Sequence, residues 1–156
     1  MSSVSPVVIP PPGTRGVRVP RLPMWLVRFF DDTSFRYFRN RPFRGGRVLS
    51  LHTIGARSGE PRRSTVAFFP DGNNTWLIVA SGGGTATHPA WFFNLARHPD
   101  NVEIEIERRI YKVRAETLAR PERTEAWQRI TRQMPFFNDY ESKTDREIPV
   151  VRLTAL

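Results

Sequence analysis

The chain has 156 residues, 39% of them hydrophobic and 25% charged, and a formal net charge of +9. That length and composition fit one globular domain with a sizeable core and exclude a chain disordered throughout. The absence of Cys excludes disulfides, thiolate metal sites, iron–sulfur clusters and a cysteine nucleophile, and only three His argue against a dedicated metal site.

The charge is lopsided. Residues 1–47 hold nine Arg against Asp31 and Asp32 alone, and 22 of the 24 cations in the chain are Arg. No run of 18 apolar residues exists to span a bilayer as a helix. Val7-Val8-Ile9 is broken by Pro10-Pro11-Pro12 and follows no charged region, so it does not read as a secretory signal, and the expected address is the cytoplasm. Residues 1–23 contain six Pro among Ser, Gly and Arg, which predicts a mobile, extended arm ahead of one domain over 24–156. From Met24 to about Asn40, Trp25, Leu26, Phe29, Phe30, Phe35, Tyr37 and Phe38 recur at partly helical spacing, with Asp31-Asp32-Thr33 expected to interrupt them. Two readings stand: a helix packing its aromatic face on the core, or an interfacial helix that, with Arg28, Arg36, Arg39 and the basic turn Arg41 to Arg47, touches anionic lipid at the inner face of the membrane.

Strands follow. Arg47 to Ile54 alternates, Arg63 to Phe69 makes a second strand, Asp71-Gly72-Asn73-Asn74 signals a hairpin, and Thr75 to Ser81 makes a third strand. Pro89 opens a short helix to Arg97. Asn101 to Glu107 and Ile110 to Leu118 read as a second hairpin, Pro121 opens a helix to about Met134, and Ile148 to Leu153 is a last strand. Six strands in meanders with three short helices predict a mainly β, α+β architecture, an antiparallel barrel with flanking helices.

Two segments carry candidate chemistry. In Gly55-Ala56-Arg57-Ser58-Gly59-Glu60-Pro61-Arg62-Arg63, two glycines and Ser58 allow exposed amides, and Arg57, Arg62 and Arg63 supply guanidinium donors. The loop is either an anion site or a solvated hairpin loop whose arginines protect a strand edge. It lacks the Gly-Lys-Ser/Thr ending of a nucleotide-binding loop, and no dinucleotide fingerprint occurs. The second segment, Ala80-Ser81-Gly82-Gly83-Gly84 before the Pro89 helix, places a flexible turn and a helix N-terminus together at one barrel mouth, a place for a flat ligand. There Trp91 reads as a ring wall or as core. His88 reads as an acid/base or ligand-orienting group, or else as a helix cap or exposed imidazole. No serine lies in a nucleophile elbow.

His52-Thr53-Ile54-Gly55-Ala56-Arg57-Ser58-Gly59-Glu60-Pro61-Arg62, the Ala80 to Gly84 turn, His88-Pro89-Ala90-Trp91-Phe92-Phe93-Asn94-Leu95 and Asp139-Tyr140-Glu141-Ser142-Lys143-Thr144-Asp145-Arg146-Glu147-Ile148-Pro149-Val150-Val151 together resemble the deazaflavin-dependent nitroreductase family of actinobacteria, over roughly residues 24–152. The resemblance implies a split β-barrel that binds coenzyme F420, an 8-hydroxy-5-deazaflavin, in a groove at its side. The acidic tail would use Gly55, Arg57, Ser58, Gly59 and Arg62. The ring would lie near Ser64, Thr65, Ala80, Ser81 and Trp91, with Gly82 and Gly83 in the turn that covers part of the phosphate region. It also implies hydride transfer, for which no nucleophile is needed, and the pairing into homodimers common in the wider superfamily.

The chain departs from that pattern in two places. In the nitroimidazole-reducing branch a Lys follows the strand-end serine. Here the position is Gly82, so anion affinity is expected to rest on arginine. That branch also carries several tyrosines near the acceptor, whereas Met134-Pro135-Phe136-Phe137-Asn138-Asp139-Tyr140 keeps only Tyr140. Replacing phenols by Phe removes donors and disfavours nitroimidazoles. A pocket of Met134, Phe136, Phe137 and Tyr140 suits a hydrophobic quinone, or another nitro or activated-alkene acceptor, with Ser81 and Tyr140 as its polar, catalytic contacts, unless the Phe pair is simple packing. Alternatives are a flavin mononucleotide (FMN) enzyme on the same barrel, or a non-catalytic lipid- or cofactor-binding barrel. Nucleic acid is not an expected partner, since no alternating aromatic–cation platform runs along the central strands.

Overall fold

Alternation builds the barrel. In the computed structural model, which describes residues 6–156, strands β1 (Arg47–Ile54), β2 (Pro61–Pro70), β3 (Thr75–Val79), β4 (Glu103–Ile106), β5 (Arg109–Thr117) and β6 (Val150–Ala155) all pair antiparallel. They close in the order β1-β2-β3-β6-β5-β4. Leu49, Leu51, Phe68, Ile78, Ile104, Val113, Ala115, Val151 and Leu153 fill the interior, and Phe92 and Leu95 of helix α2 (Ala90–Arg97) pack into the same cluster. The outward residues of β3 and its neighbours, Phe69, Leu77, Val79 and Val150, are buried as well, under Ala126, Trp127 and Ile130 of α3 (Glu122–Gln133) and Phe137 of α4 (Phe136–Lys143). A strand covered on both faces reads as a continuous apolar run, and Trp76 to Ala80 is one.

Three expectations change. The six strands form close to their predicted bounds, but a fourth helix, α4, follows Pro135 where none was expected. Proline has a fixed φ suited to helix entry, and Phe136, Phe137 and Tyr140 pack their rings together across the first turn. Helix α1 (Met24–Phe38) runs unbroken through Asp31-Asp32-Thr33, because Asp31 meets a tertiary partner there: the Thr65 amide donates to Asp31 Oδ1 at 3.3 Å and the Thr65 hydroxyl to the Asp31 carbonyl at 2.9 Å. Nor is the predicted arm loose over residues 6–17. Val7 is buried in the barrel cluster, Thr117 N–H donates to Pro6 O at 3.0 Å, Gly13 N–H to Ala86 O at 2.8 Å and Val17 N–H to Gly84 O at 2.9 Å. The Asp145 carboxylate also takes the Thr14 and Arg15 amides at 2.8 and 3.0 Å. Proline keeps this segment extended and removes N–H groups that would need acceptors, so it lies flat as a strap with the Val8, Gly13, Thr14, Arg15 and Val17 amides paired. Residues 1–5 of the predicted arm lie outside the described residues.

Candidate functional site

The ladder between β2 and β3 covers only Phe68 to Pro70, so β2 from Pro61 to Ala67 is paired with β1 alone. Beside that open edge lies a cleft of about 220 Å³ lined by Phe43, Thr65, Val66, Ala67, Val79, Ser81, Gly82, Gly83, Trp91, Phe136, Phe137 and Tyr140. It therefore brings together three of the five predicted ring neighbours (Thr65, Ser81, Trp91), the Gly82–Gly83 turn expected over the phosphate region, and three of the four predicted acceptor residues. Trp91 is both wall and core, since it is buried and still edges the cleft. Tyr140 carries the polar edge: Arg44 Nη1 donates to its hydroxyl at 3.3 Å and the same guanidinium stacks over Phe136.

Some predicted residues lie elsewhere. Met134 is fully buried in the second cluster, its methyl against Gly46, because the helix end that carries it turns inward. Ala80 points into the barrel. Ser64, opposite Leu51 in the ladder, does not line the cleft. Phe137 edges the cleft, but it is mostly core, packed on Phe69 and Trp127.

The Gly55 to Arg63 loop is tighter than an open anion cradle. Gly55 N–H donates to Glu60 O, Gly59 N–H to Gly55 O, and Ala56 N–H to Asn94 Oδ1 on α2, each at 2.8–2.9 Å. These amides are spent within the protein. Arg62 donates to Ser58 Oγ and to Glu60 Oε2, both at 3.2 Å. It lines a separate cavity of about 360 Å³ with His52, Arg63, Asp100, Glu103 and Lys112. Arg57 is exposed and, among the described residues, has no partner. Helix α1 lies over this region: Arg28 reaches Glu60 at 3.7 Å and Asp32 reaches Arg63 at 3.7 Å. Burial pushes the Asp31 carboxyl above its ordinary value, opposed by the Thr65 amide and helped by Asp32.

Arg146, which sequence reasoning passed over, holds the site in shape together with His88. Arg146, 5% exposed, donates Nη1 to Ala80 O at 3.1 Å, Nη2 to Ser81 O at 2.6 Å and Nε to Thr85 O at 2.7 Å, clamping the turn between the strand end and Thr85. Nη1 also faces His88 Nδ1 at 3.1 Å, and His88 Nε2 faces Pro10 O at 2.8 Å. A guanidinium can only donate, so His88 accepts at Nδ1 and carries its proton at Nε2. Burial, with the Arg146 charge alongside, holds His88 below its usual range. His88 is thus a buried neutral brace, neither an exposed imidazole nor a general acid. The signal for Arg146 was the charged Asp145-Arg146-Glu147 triplet set directly before the buried Ile148-Pro149-Val150-Val151 run.

The cleft fits a flat, partly anionic redox group: aromatic walls, a small-residue turn and a buried cation behind it. Residues 31–155 match the family model described as F420H(2)-dependent quinone reductase. The F420H(2)-dependent quinone reductase Rv1261c of Mycobacterium tuberculosis (strain H37Rv) is 38% identical over 109 residues, 68% of this chain and 72% of that protein. A putative F420H(2)-dependent quinone reductase of the same organism, Rv3178, is 35% identical over 107 residues, 68% of this chain and 87% of its own length. Among solved structures, an F420-H2 dependent reductase (FDR-A) superposes with TM-score 0.61 at 31% identity, covering 68% of this chain and 92% of that one. A structure described as a domain-swapped dimer superposes with TM-score 0.62 at 27% identity, covering 85% and 99%. The chain belongs to the F420H(2)-dependent quinone reductase family, an oxidoreductase whose cofactor is coenzyme F420.

Proposed function

We propose that this chain reduces a hydrophobic quinone in the cleft beside β2, with activated alkenes and nitro compounds as lesser acceptors. What carries the reading is that one cleft combines Thr65, Ser81, Gly82, Gly83 and Trp91 with the Phe136, Phe137 and Tyr140 wall. The bound cofactor supplies hydride. The residues do the rest. Trp91 and the Ser81–Gly83 turn bound the ring, Arg57 and Arg62 hold its acidic tail, and Phe136 with Phe43 presses the acceptor flat and excludes water. Arg44 donates to the Tyr140 hydroxyl, which leaves the Tyr140 proton to be given to an acceptor oxygen. The test is a fluorescence titration with oxidised coenzyme F420 beside FMN, then anaerobic turnover with a menaquinone analogue. Saturation by FMN and not by the deazaflavin would refute it.

The acceptor's solubility bears on where the protein works. Trp25, Phe29, Phe30 and Tyr37 stand on α1 at 70%, 59%, 52% and 56% exposure, among Arg28, Arg36 and Arg41. An aromatic face rimmed by guanidinium groups suits an anionic bilayer surface, and we assign α1 a peripheral membrane contact. Co-sedimentation with vesicles rich in phosphatidylglycerol should fall at least tenfold in Trp25→Ala/Phe29→Ala. Unchanged sedimentation, or concentration-dependent mass without vesicles, would instead mark this face as unrelated to lipid or as a contact between copies.

A further inference from the structure

Beneath the cleft, Arg146 is a buried cation whose hydrogen-bond partners, three carbonyls and a neutral imidazole, are all uncharged. Burial alone lowers its affinity for its proton, with no carboxylate contributing. The adjacent Asp145 is turned away onto Thr14 and Arg15. A buried charge without a counterion is costly, and the position of this one is informative. Its Nη1 and Nη2 hold the carbonyls of Ala80 and Ser81, so the two consecutive peptides that carry the Ser81 and Gly82 amides have their oxygens fixed on one side. In a planar trans peptide the N–H points opposite to the C=O, so both amides point away from Arg146, and both residues line the cleft. Among the described residues neither amide has a partner, while the next two are used: Gly84 N–H on Ser81 O at 2.9 Å and Gly83 N–H on Ser81 Oγ at 3.4 Å. Gly82 has φ +55°, and a side chain there would strike Thr85 Oγ1, so this turn is built for glycine. Each carbonyl that accepts from a guanidinium polarises its own peptide and strengthens that peptide's N–H as a donor.

We propose that the Ser81 and Gly82 amides, backed by Arg146, form an oxyanion subsite for an oxygen carrying ring-delocalised negative charge. This rests on the quinone-reductase reading of the same cleft. Two sources share the chemistry. One is the ionised ring hydroxyl of the bound deazaflavin. The other is the reduced acceptor: a quinone that gains hydride, two electrons and one hydrogen, holds one negative oxygen until a proton completes the hydroquinone, the matching proton leaving the carrier. Arg146 acts through the two amides, as a positioning and charging residue. It supplies from below the cation that Gly82 cannot carry: Nη2 lies 3.7 Å from where a Gly82 Cβ would be.

The other charged or titratable groups around the cleft are Asp31 on Thr65, Arg44 and Lys143 at Tyr140, and Tyr140 itself. Each is kept in the test, which has two arms. In the first, oxidised coenzyme F420 bound to the protein is titrated with pH and its ring hydroxyl followed by absorbance. In the second, a trifluorophenol is titrated with the cofactor-free protein and its ionisation read by 19F NMR. The expected result is an ionisation at least one pH unit below that of the free compound, in the first arm for a carrier oxygen and in the second for an acceptor oxygen. Arg146→Gln should abolish the shift and Arg146→Lys keep part of it, in variants whose circular dichroism matches wild type. Wild-type protein that shifts neither probe overturns the subsite, even if Arg146→Gln does not fold, as does a full shift in folded Arg146→Gln. Failure of the deazaflavin to bind at all refutes the cofactor reading instead, and the phenol arm still decides the subsite.

Discussion

Arg62→Ala should raise the dissociation constant for coenzyme F420 about tenfold. The guanidinium is held ready, its side chain 20% exposed and its two ends on Ser58 Oγ and Glu60 Oε2 at 3.2 Å. A charge-assisted hydrogen bond to an anion is worth roughly 1.5–3 kcal/mol, or about 10- to 150-fold in affinity. Glu60 sets the lower end. In the free protein it already neutralises Arg62, and at 63% exposure it is recovered by water once displaced, so the ligand gains only the difference between two carboxylate-like partners. The same reasoning gives the opposite sign for Glu60→Gln, which removes a competitor and a like charge and should tighten binding about threefold, roughly half a kcal/mol. Arg57→Ala, at an exposed position with no competing partner, should also weaken binding about tenfold, with a larger share lost as ionic strength rises. The assay is fluorescence titration of the oxidised cofactor at two salt concentrations. Unchanged affinity in both arginine variants would refute the tail site, as would weaker binding in Glu60→Gln.

Phe136→Ala should raise KM for a quinone and leave cofactor affinity within about twofold, since Phe136 walls the cleft beside Tyr140; a parallel loss of cofactor binding would place the ring, not the acceptor, against it. Phe137→Ala should cost about 3 kcal/mol in denaturant unfolding, because this ring is buried between Phe69, Trp127 and Phe136; a loss under 1 kcal/mol would make it a lining residue rather than core. Asp71→Asn should lower stability by about 2 kcal/mol at neutral pH, or about 5 °C in Tm, because Arg129 and Arg152 both donate to this carboxylate at 2.8 Å. Burial alone would raise the Asp71 value, but those bonds hold it below 3.8, so its contribution is complete above that pH and is lost as pH falls through the folded value. An unaltered acid limb in Asp71→Asn would contradict this. The Thr14 hydroxyl, with the Arg15 and Thr14 amides, holds Asp145 at about 2. The strap should therefore stay latched down to that pH in wild type, and Asp145→Ala should speed amide exchange at residues 13–17, which hydrogen-exchange mass spectrometry would read.

Local pattern alone determined the barrel. Alternation in Arg47 to Ile54 and the Asp71 to Asn74 turn are short-range features, and strands found that way can close in few orders. The grouping of Ser81, Gly82, Gly83 and Trp91 along one cleft was legible for a similar reason: they sit at a strand end and a helix start that neighbour each other in sequence. What the sequence left open concerns partners distant along the chain. Asp31 reads as a helix breaker until Thr65, 34 residues away, supplies an amide for it. The proline segment reads as a loose arm until Asp145, Gly84 and Ala86 take up its amides. Met134 and Phe137 share the composition of a pocket lining, and only the seating of α3 and α4 against β3 sends the one into the core and keeps the other at its edge. Arg146 was one more arginine among 22. A side chain's meaning there depends on which carbonyls it meets and which charges it lacks, and long-range packing, not local propensity, sets both.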